Sequence, residues 1–236
     1  GLLFHSLYSA ESNLYCQQKV FTLAASLNQV AFRQAWEIVI NRHDSLKTAF
    51  IWEKLATPLQ VVQSAIALPW REENWCHLSS PQQEEELADY LKNDLEPGFS
   101  LSNAPLMRMA LFQLSKAQYY LVWSHHHLLL DGWCNGIIME EVFRVYQTLC
   151  EGKEPNLPPS IPYKDYIAWL NQKNEVAAKN FWKQALKGVK APTRWGLEQT
   201  GRALNGDRRE YSQEELQLSP ATTKSLNTWA KSHHLT

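Results

Sequence analysis

Apolar residues recur at helical spacing along much of the chain and predict a series of amphipathic helices. The clearest stripe runs through Phe32, Trp36 and Val39, and Asn28 stands ahead of it as a good capping residue. We predict a helix from Asn28 to about Asn41, with this stripe in the core. The same spacing predicts further helices over residues 1–8, 81–95 (capped by Ser80), 137–150, 163–169, 176–186 and 221–233 (capped by Ser219).

Runs rich in β-branched and aromatic residues predict the strands between these helices. They cover residues 15–23, 50–62 (a pair joined around Pro58), 68–70, 106–114, 118–124 and 209–218, with a loop over 191–207. The runs on either side of Ser115-Lys116-Ala117 are expected to form an antiparallel hairpin. The second of them is apolar at every position from Tyr119 to Trp123, which predicts a central strand covered on both faces. The predicted fold class is α+β, a mixed, largely antiparallel sheet with packed helices.

Composition narrows the class of protein. The 236 residues carry 23 Lys and Arg against 24 Asp and Glu, a formal net charge of −1, so no basic surplus favours nucleic acid or an anionic membrane. No apolar run approaches the length that spans a bilayer. The four cysteines have neither metal-binding nor redox spacing. We therefore expect a cytoplasmic protein with reduced thiols that binds neither nucleic acid nor membrane.

Titratable residues gather where the central strand meets the following helix, in residues 124–133, read as SHHHLLLDGW. A strand that continued through the three histidines would place His125 and His127 on one face and His126 on the other. At most part of the cluster can therefore line any one pocket.

Three interpretations of this cluster follow from the residues alone. The histidines can be satisfied polar residues at a strand end. They can bind a metal, since His127 and Asp131 are four residues apart, although no HExxH or CxxC spacing supports this. One imidazole can act as a general acid or base, because imidazole titrates near neutral pH.

Residues 126–132 read HHxxxDG and resemble the active-site motif of condensation domains from nonribosomal peptide synthetases. Other family motifs are resembled in the same order along nearly the whole chain. They are GMLFHSLY at residues 1–8 (with Leu2 for Met), RHExLRTxF at 42–50 (with Asp44 and Lys47 for Glu and Arg), GFDLxxxPLxR at 98–108 (with Ser100 for Asp) and YxDYAxW at 163–169.

The resemblance implies roles for the residues of the motif. His127 is expected to act as general base or to orient the attacking amine. His126 and Asp131 are expected to hold the loop, and Gly132 to leave room for a thioester. In the family a cation pairs with this aspartate, so the resemblance implies an ion pair from Lys47, Arg42 or Arg108 to Asp131.

The implied reaction is amide-bond formation between a donor aminoacyl or peptidyl thioester and an acceptor aminoacyl thioester. Both substrates would be carried on the phosphopantetheine arms of upstream and downstream carrier domains, next to an adenylation domain. The domain itself is expected to bind no cofactor and no metal. An epimerisation domain, which also carries HHxxxDG, and a non-catalytic carrier-docking lobe are the alternatives.

The resemblance also implies a chloramphenicol acetyltransferase-like fold of two lobes with a tunnel between them. Residues 1–236 are expected to form the N-terminal lobe, with the C-terminal lobe absent. The isolated chain is therefore expected to be inactive.

Overall fold

A computed structural model describes residues 1–8, 13, 15–191 and 216–235. Its strands are β1 (Cys16–Leu23), β2 (Thr48–Ile51), β3 (Leu59–Val62), β4 (Trp70–Asn74), β5 (Met107–Ser115) and β6 (Gln118–His126). Its helices are α1 (Leu2–Tyr8), α2 (Gln29–Arg42), α3 (Ser80–Leu95), α4 (Gly132–Cys150), α5 (Tyr163–Asn171), α6 (Glu175–Ala185) and α7 (Pro220–Ser232). A short 3-10 turn, Asp44–Lys47, links α2 to β2.

The main sheet has four strands in the order β1-β6-β5-β4. Strand β6 pairs antiparallel with β1 and β5, while β4 pairs parallel with β5. Strands β2 and β3 form a separate antiparallel pair. The predicted α+β class and the predicted hairpin are both confirmed, and β6 is the central strand that its apolar run predicted.

Side chains alternate between two covered faces of the sheet, as expected for a strand buried on both sides. Leu121 and Trp123 of β6 belong to the larger core cluster, with the apolar stripes of α2 and α4. Val122 of β6 belongs to a second cluster, against which Leu87 and Leu91 of α3 pack. The odd-numbered positions of β6 therefore lie on the α2 and α4 face, and the even-numbered positions lie on the α3 face.

The chain divides into two units, Gly1–Asn174 and Glu175–Thr236. The first contains both sheets and both core clusters. The second contains α6 and α7, and Ser219 caps α7 by accepting a hydrogen bond from the Thr222 N–H, as predicted. Across the described residues, no helix is long and apolar enough to cross a membrane.

Several predicted boundaries are wrong, for local reasons. Helix α3 is capped by Ser79 rather than Ser80, because Ser79 forms a reciprocal capping box with Gln82. Helix α4 begins at Gly132, five residues before the predicted start, because Asp131 caps it. Strand β4 runs through a polar stretch after the predicted strand at 68–70, paired to the well-buried β5. The predicted loop at 191–207 and strand at 209–218 lie mostly outside the described residues.

Candidate active site

The three histidines lie where β6 ends and the chain turns toward α4. Strand pairing continues to His126 and then stops, so His127 leaves the alternation that would have put it on the same face as His125. We call residues 126–131 the histidine turn. The backbone N–H of Leu129 donates to the His126 carbonyl at 3.0 Å, which closes this turn.

His127 is half-buried and held by two hydrogen bonds. Its backbone N–H donates to the Tyr15 carbonyl at 2.8 Å. Its ring Nδ1 lies 2.8 Å from the Leu130 carbonyl oxygen, and since a carbonyl can only accept, Nδ1 must carry the proton. In the neutral ring this places the lone pair on Nε2, for which no described residue is a hydrogen-bond partner. An imidazole held in this way can accept a proton at Nε2.

A pocket of about 310 Å³ lies beside His127. Apolar walls come from Leu2, Phe50 and residues 128–130 of the histidine turn. Polar groups are contributed by Ser45, Thr48, Gln60, Asp131 and Tyr163. The pocket is thus mainly apolar, with hydroxyl and amide groups that can orient a ligand and with one imidazole able to move a proton.

His126 is buried and serves the backbone around it. Its Nδ1 accepts a hydrogen bond from the Leu128 N–H at 3.1 Å, which puts its ring proton on Nε2, 3.5 Å from the Ser6 hydroxyl. Its tautomer is therefore opposite to that of His127. Burial, with a smaller contribution from the neighbouring charge of His127, lowers the pKa of His126 to about 4, so its ring is neutral near pH 7.

His125 lies on the other face of β6 and is fully enclosed. Its side chain is 0% exposed, and its ring packs on Trp123 at 4.9 Å. Neither ring nitrogen has a hydrogen-bond partner among the residues that the structure describes. Burial, assisted by the charges of Lys19, His127 and His126, lowers its pKa to about 4. His125 is thus a neutral core residue.

Asp131 is exposed, and its carboxylate caps α4. Its Oδ1 accepts hydrogen bonds from the backbone N–H groups of Trp133 and Cys134, at 3.0 and 3.2 Å. Hydrogen bonding to Cys134 is the main reason that the pKa of Asp131 lies below its ordinary value. Gly132 follows in open space, since a Cβ there would meet nothing within 4 Å.

The implied ion pair to Asp131 is wrong for this structure. Each of the three candidate cations is instead paired with a different acid. The pairs are Lys47 with Asp44 at 3.5 Å, Arg42 with Glu141 at 3.2 Å, and Arg108 with Asp94. The physical reason is that Asp131 uses its charge at the helix N-terminus and in water, while each cation has an acid closer to hand.

Sequence patterns did not reveal the groups that hydrogen-bond to the histidine turn from other elements. These groups include the Tyr15 carbonyl and the Ser6 hydroxyl, both distant in sequence from His127. The only available signal was a polar Ser6 within the otherwise largely apolar α1, since a backbone carbonyl leaves no trace in a sequence. Among the described residues, no group of three or more His, Cys, Asp or Glu side chains is arranged to hold a metal ion.

Comparison with known proteins shows which family the chain is similar to. The family model of the condensation domain matches residues 1–236. The chain is 35% identical over 238 residues to surfactin synthase subunit 3 of Bacillus subtilis, covering 100% of this chain and 18% of that protein. It is 33% identical over 236 residues to bacitracin synthase 1 of Bacillus licheniformis, covering 100% of this chain and 4% of that protein. The chain therefore spans a small part of the curated relatives it matches.

Solved structures show the same fold at lower sequence identity. The starter condensation domain of the rhizomide synthetase RzmA superposes with a TM-score of 0.69 at 22% identity, covering 81% of this chain and 46% of that one. VibH, described as a condensation enzyme of nonribosomal peptide synthesis, superposes with a TM-score of 0.62 at 20% identity, covering 81% and 43%. These likenesses establish a chloramphenicol acetyltransferase-like fold for the matched region, as expected.

Proposed function

This chain belongs to the condensation-domain family, and we propose that it takes part in amide-bond formation between two carrier-bound thioesters. The observation that carries the proposal is the His127 ring. Its Nδ1–H is fixed on the Leu130 carbonyl, so its Nε2 lone pair is available beside a largely apolar pocket. This is the arrangement that a general base at an amine nucleophile requires.

The proposed reaction transfers the donor acyl group from the sulfur of its thioester to the nitrogen of the acceptor amine. The acceptor amine attacks the donor thioester carbonyl, the C–N bond forms, and the C–S bond breaks to release the donor's carrier arm as a thiolate. His127 Nε2 takes the proton that the amine loses and gives it to this thiolate, or holds the amine in line for attack while the proton passes to the thiolate. Because the thioester is already activated, the step requires neither ATP nor a metal in this domain.

The supporting residues have structural roles in this proposal. His126 joins α1 to the histidine turn and fixes the Leu128 N–H, while Asp131 fixes the start of α4. The described residues leave open space around Gly132, which gives access for an incoming thioester.

The partners follow from the reaction. Donor and acceptor would arrive on the phosphopantetheine arms of two carrier domains, loaded by an adjacent adenylation domain. Relatives named as synthases of surfactin and bacitracin support this setting. The four cysteines are free thiols, which agrees with a location in the reducing cytoplasm.

We further propose that residues 1–236 act as the N-terminal lobe of a two-lobe domain. The support is that the chain matches 46% and 43% of the two solved chains described above. On this proposal the isolated chain forms no amide, because the second wall that orients the acceptor is missing. Lost orientation alone can remove roughly 7–11 kcal/mol of barrier lowering.

The test is a His127→Ala substitution in the complete synthetase, with dipeptidyl thioester followed by mass spectrometry. Loss of a general base should lower the rate by about 10²- to 10⁴-fold. His77→Ala, an exposed histidine outside the pocket, is the matched control and should keep the rate. Undiminished turnover in His127→Ala would refute the catalytic role. In the unmodified synthetase, a racemised donor without amide would indicate an epimerisation domain.

A further inference from the structure

A buried carboxylate on the other side of the sheet is tied to the strand that carries the histidines. Asp94, in the last turn of α3, has a side chain that is only 4% exposed. It accepts hydrogen bonds from Gln18 and Ser124, both at 2.6 Å, and from Arg108 and Tyr90. A carboxylate with this many donors is held in one position and stays ionised.

Three of these donors form one row across the sheet. Gln18 of β1 lies opposite Ser124 of β6, and Ser124 lies opposite Arg108 of β5. A single carboxylate from α3 therefore joins three neighbouring strands at the same level. Arg108 also donates to the Gly98 carbonyl at 2.9 Å and stacks on Phe99 at 4.3 Å, which ties the loop after α3 to the same point.

The row lies directly before the histidine turn. Only His125 separates Ser124 from His126, and alternation puts Ser124 and His126 on the same α3 face. Beyond the row, strand pairing continues to His126 on the β1 side and to His125 on the β5 side, and one further backbone hydrogen bond follows on each side. These bonds run from His126 to the Leu106 carbonyl at 2.9 Å and from His127 to the Tyr15 carbonyl at 2.8 Å.

We propose that Asp94 is a positioning residue for the reaction, acting through Ser124 to fix the end of β6 and hence the location of the His127 imidazole. The inference rests on the proposed function of His127. Asp94 does not line the pocket beside His127, so it acts on the substrate only through the strand. A displacement of about 1 Å at the reacting group can cost about a hundredfold in rate, so the tie is relevant to catalysis as well as to folding.

Two hydrogen bonds to the same oxygen of Asp94 give a matched pair of variants. Ser124→Ala and Gln18→Met each remove one neutral donor to Oδ2, and Arg108 remains in place in both. Gln18→Met also removes the hydrogen bond from Gln18 to the Leu91 carbonyl. The donors differ in that Ser124 lies on the histidine strand and Gln18 does not. We expect the loss of stability from Gln18→Met, measured by urea unfolding, to be at least as large as that from Ser124→Ala.

The expected difference is in turnover by the complete synthetase. Ser124→Ala should lower kcat by about tenfold to a hundredfold with KM for the loaded carriers unchanged. Gln18→Met should leave kcat close to that of the unmodified enzyme, and Ser124→Thr, which keeps the hydroxyl, should restore most of the activity.

Other outcomes overturn the proposal. Equal losses of kcat in Ser124→Ala and Gln18→Met would mean that Asp94 contributes stability alone. An unchanged kcat in Ser124→Ala would remove the positioning role. His127→Ala measured in the same assay separates the two claims. If it abolishes turnover while Ser124→Ala does not, only the positioning inference fails, whereas retained turnover in His127→Ala refutes the proposed function and this inference together.

Discussion

The two faces of β6 treat polar groups in opposite ways within a few residues of each other. On the α3 face, Ser124 belongs to a network in which one carboxylate, Asp94, is matched by donors from three strands. On the α2 face, the rings of Trp36, Trp123 and His125 pack in sequence at 5.2 and 4.9 Å. None of their ring nitrogens has a hydrogen-bond partner in the described part of the chain.

The difference separates two ways of holding a strand end. The α3 face fixes position through directional, charge-assisted hydrogen bonds. The α2 face supplies close packing, and its unsatisfied nitrogens reduce the stability that the burial provides. Substitutions that remove hydrogen bonds on the α3 face should therefore displace the histidine turn. Substitutions that remove the unsatisfied nitrogens on the α2 face should stabilise the protein.

The largest loss of stability should follow from removal of the Asp94 carboxylate on the α3 face. Asp94→Ala leaves Arg108 without its acid in a mostly buried setting, which should lower the free energy of unfolding by about 3 kcal/mol. Asp89→Ala, an exposed acid on the same helix, is the control and should change it by less than about 0.5 kcal/mol. Equal small effects of the two substitutions in urea unfolding would contradict the network described above.

The protein should lose stability in acid because of His125 on the α2 face. The pKa of His125 is lowered to about 4 from an ordinary value of 6.5, mainly by burial. Between these values the unfolded chain binds more protons, so stability is complete above about pH 6.5 and falls as the pH falls toward 4. His125 alone should account for a loss of roughly 2–3 kcal/mol between pH 7 and pH 4.5.

The matched variant for this prediction is His125→Leu. It removes the two unsatisfied nitrogens and should raise the free energy of unfolding at pH 7 by about 1–2 kcal/mol. It should also remove the His125 part of the acid loss and leave that of His126, whose pKa is lowered to about 4 as well. Urea unfolding of both proteins at the two pH values measures this, and identical pH dependences would refute the assignment to His125.

The smallest effect should come from Asp131, outside both faces. Its exposed carboxylate caps α4 and has no cation partner among the described residues. Asp131→Ala should lower the melting temperature slightly, and Asp131→Asn should not, because an asparagine oxygen caps a helix about as well. If Asn were as damaging as Ala, the negative charge rather than the cap would be the essential property.

The sequence was informative wherever the determining interactions were local. The Asn28 cap, the stripe of α2 and the central character of β6 follow from neighbours a few residues apart, and they are confirmed. Short motifs also located the histidine turn. The pairing of Asp94 with Arg108, Ser124 and Gln18 could not be predicted, because these donors lie 14, 30 and 76 residues away along the chain.

The errors have the same origin. An ion pair from Lys47, Arg42 or Arg108 to Asp131 was a reasonable expectation from residue types, but only the folded chain shows which acid each cation meets. Strand β4 was misplaced because the pairing with β5, rather than its own polar sequence, makes it a strand.

We propose that the fold fixes the two adjacent histidines in opposite tautomers and leaves Nε2 of His127 as the proton acceptor. Nitrogen-15 NMR of the chain with labelled histidine tests this directly, with His126→Gln and His127→Gln used to assign the two rings. In their neutral forms, His127 should carry its proton on Nδ1 and His126 on Nε2. A neutral His127 ring protonated on Nε2 would contradict the proposed role of His127, since the nitrogen proposed to accept the amine proton would already hold one.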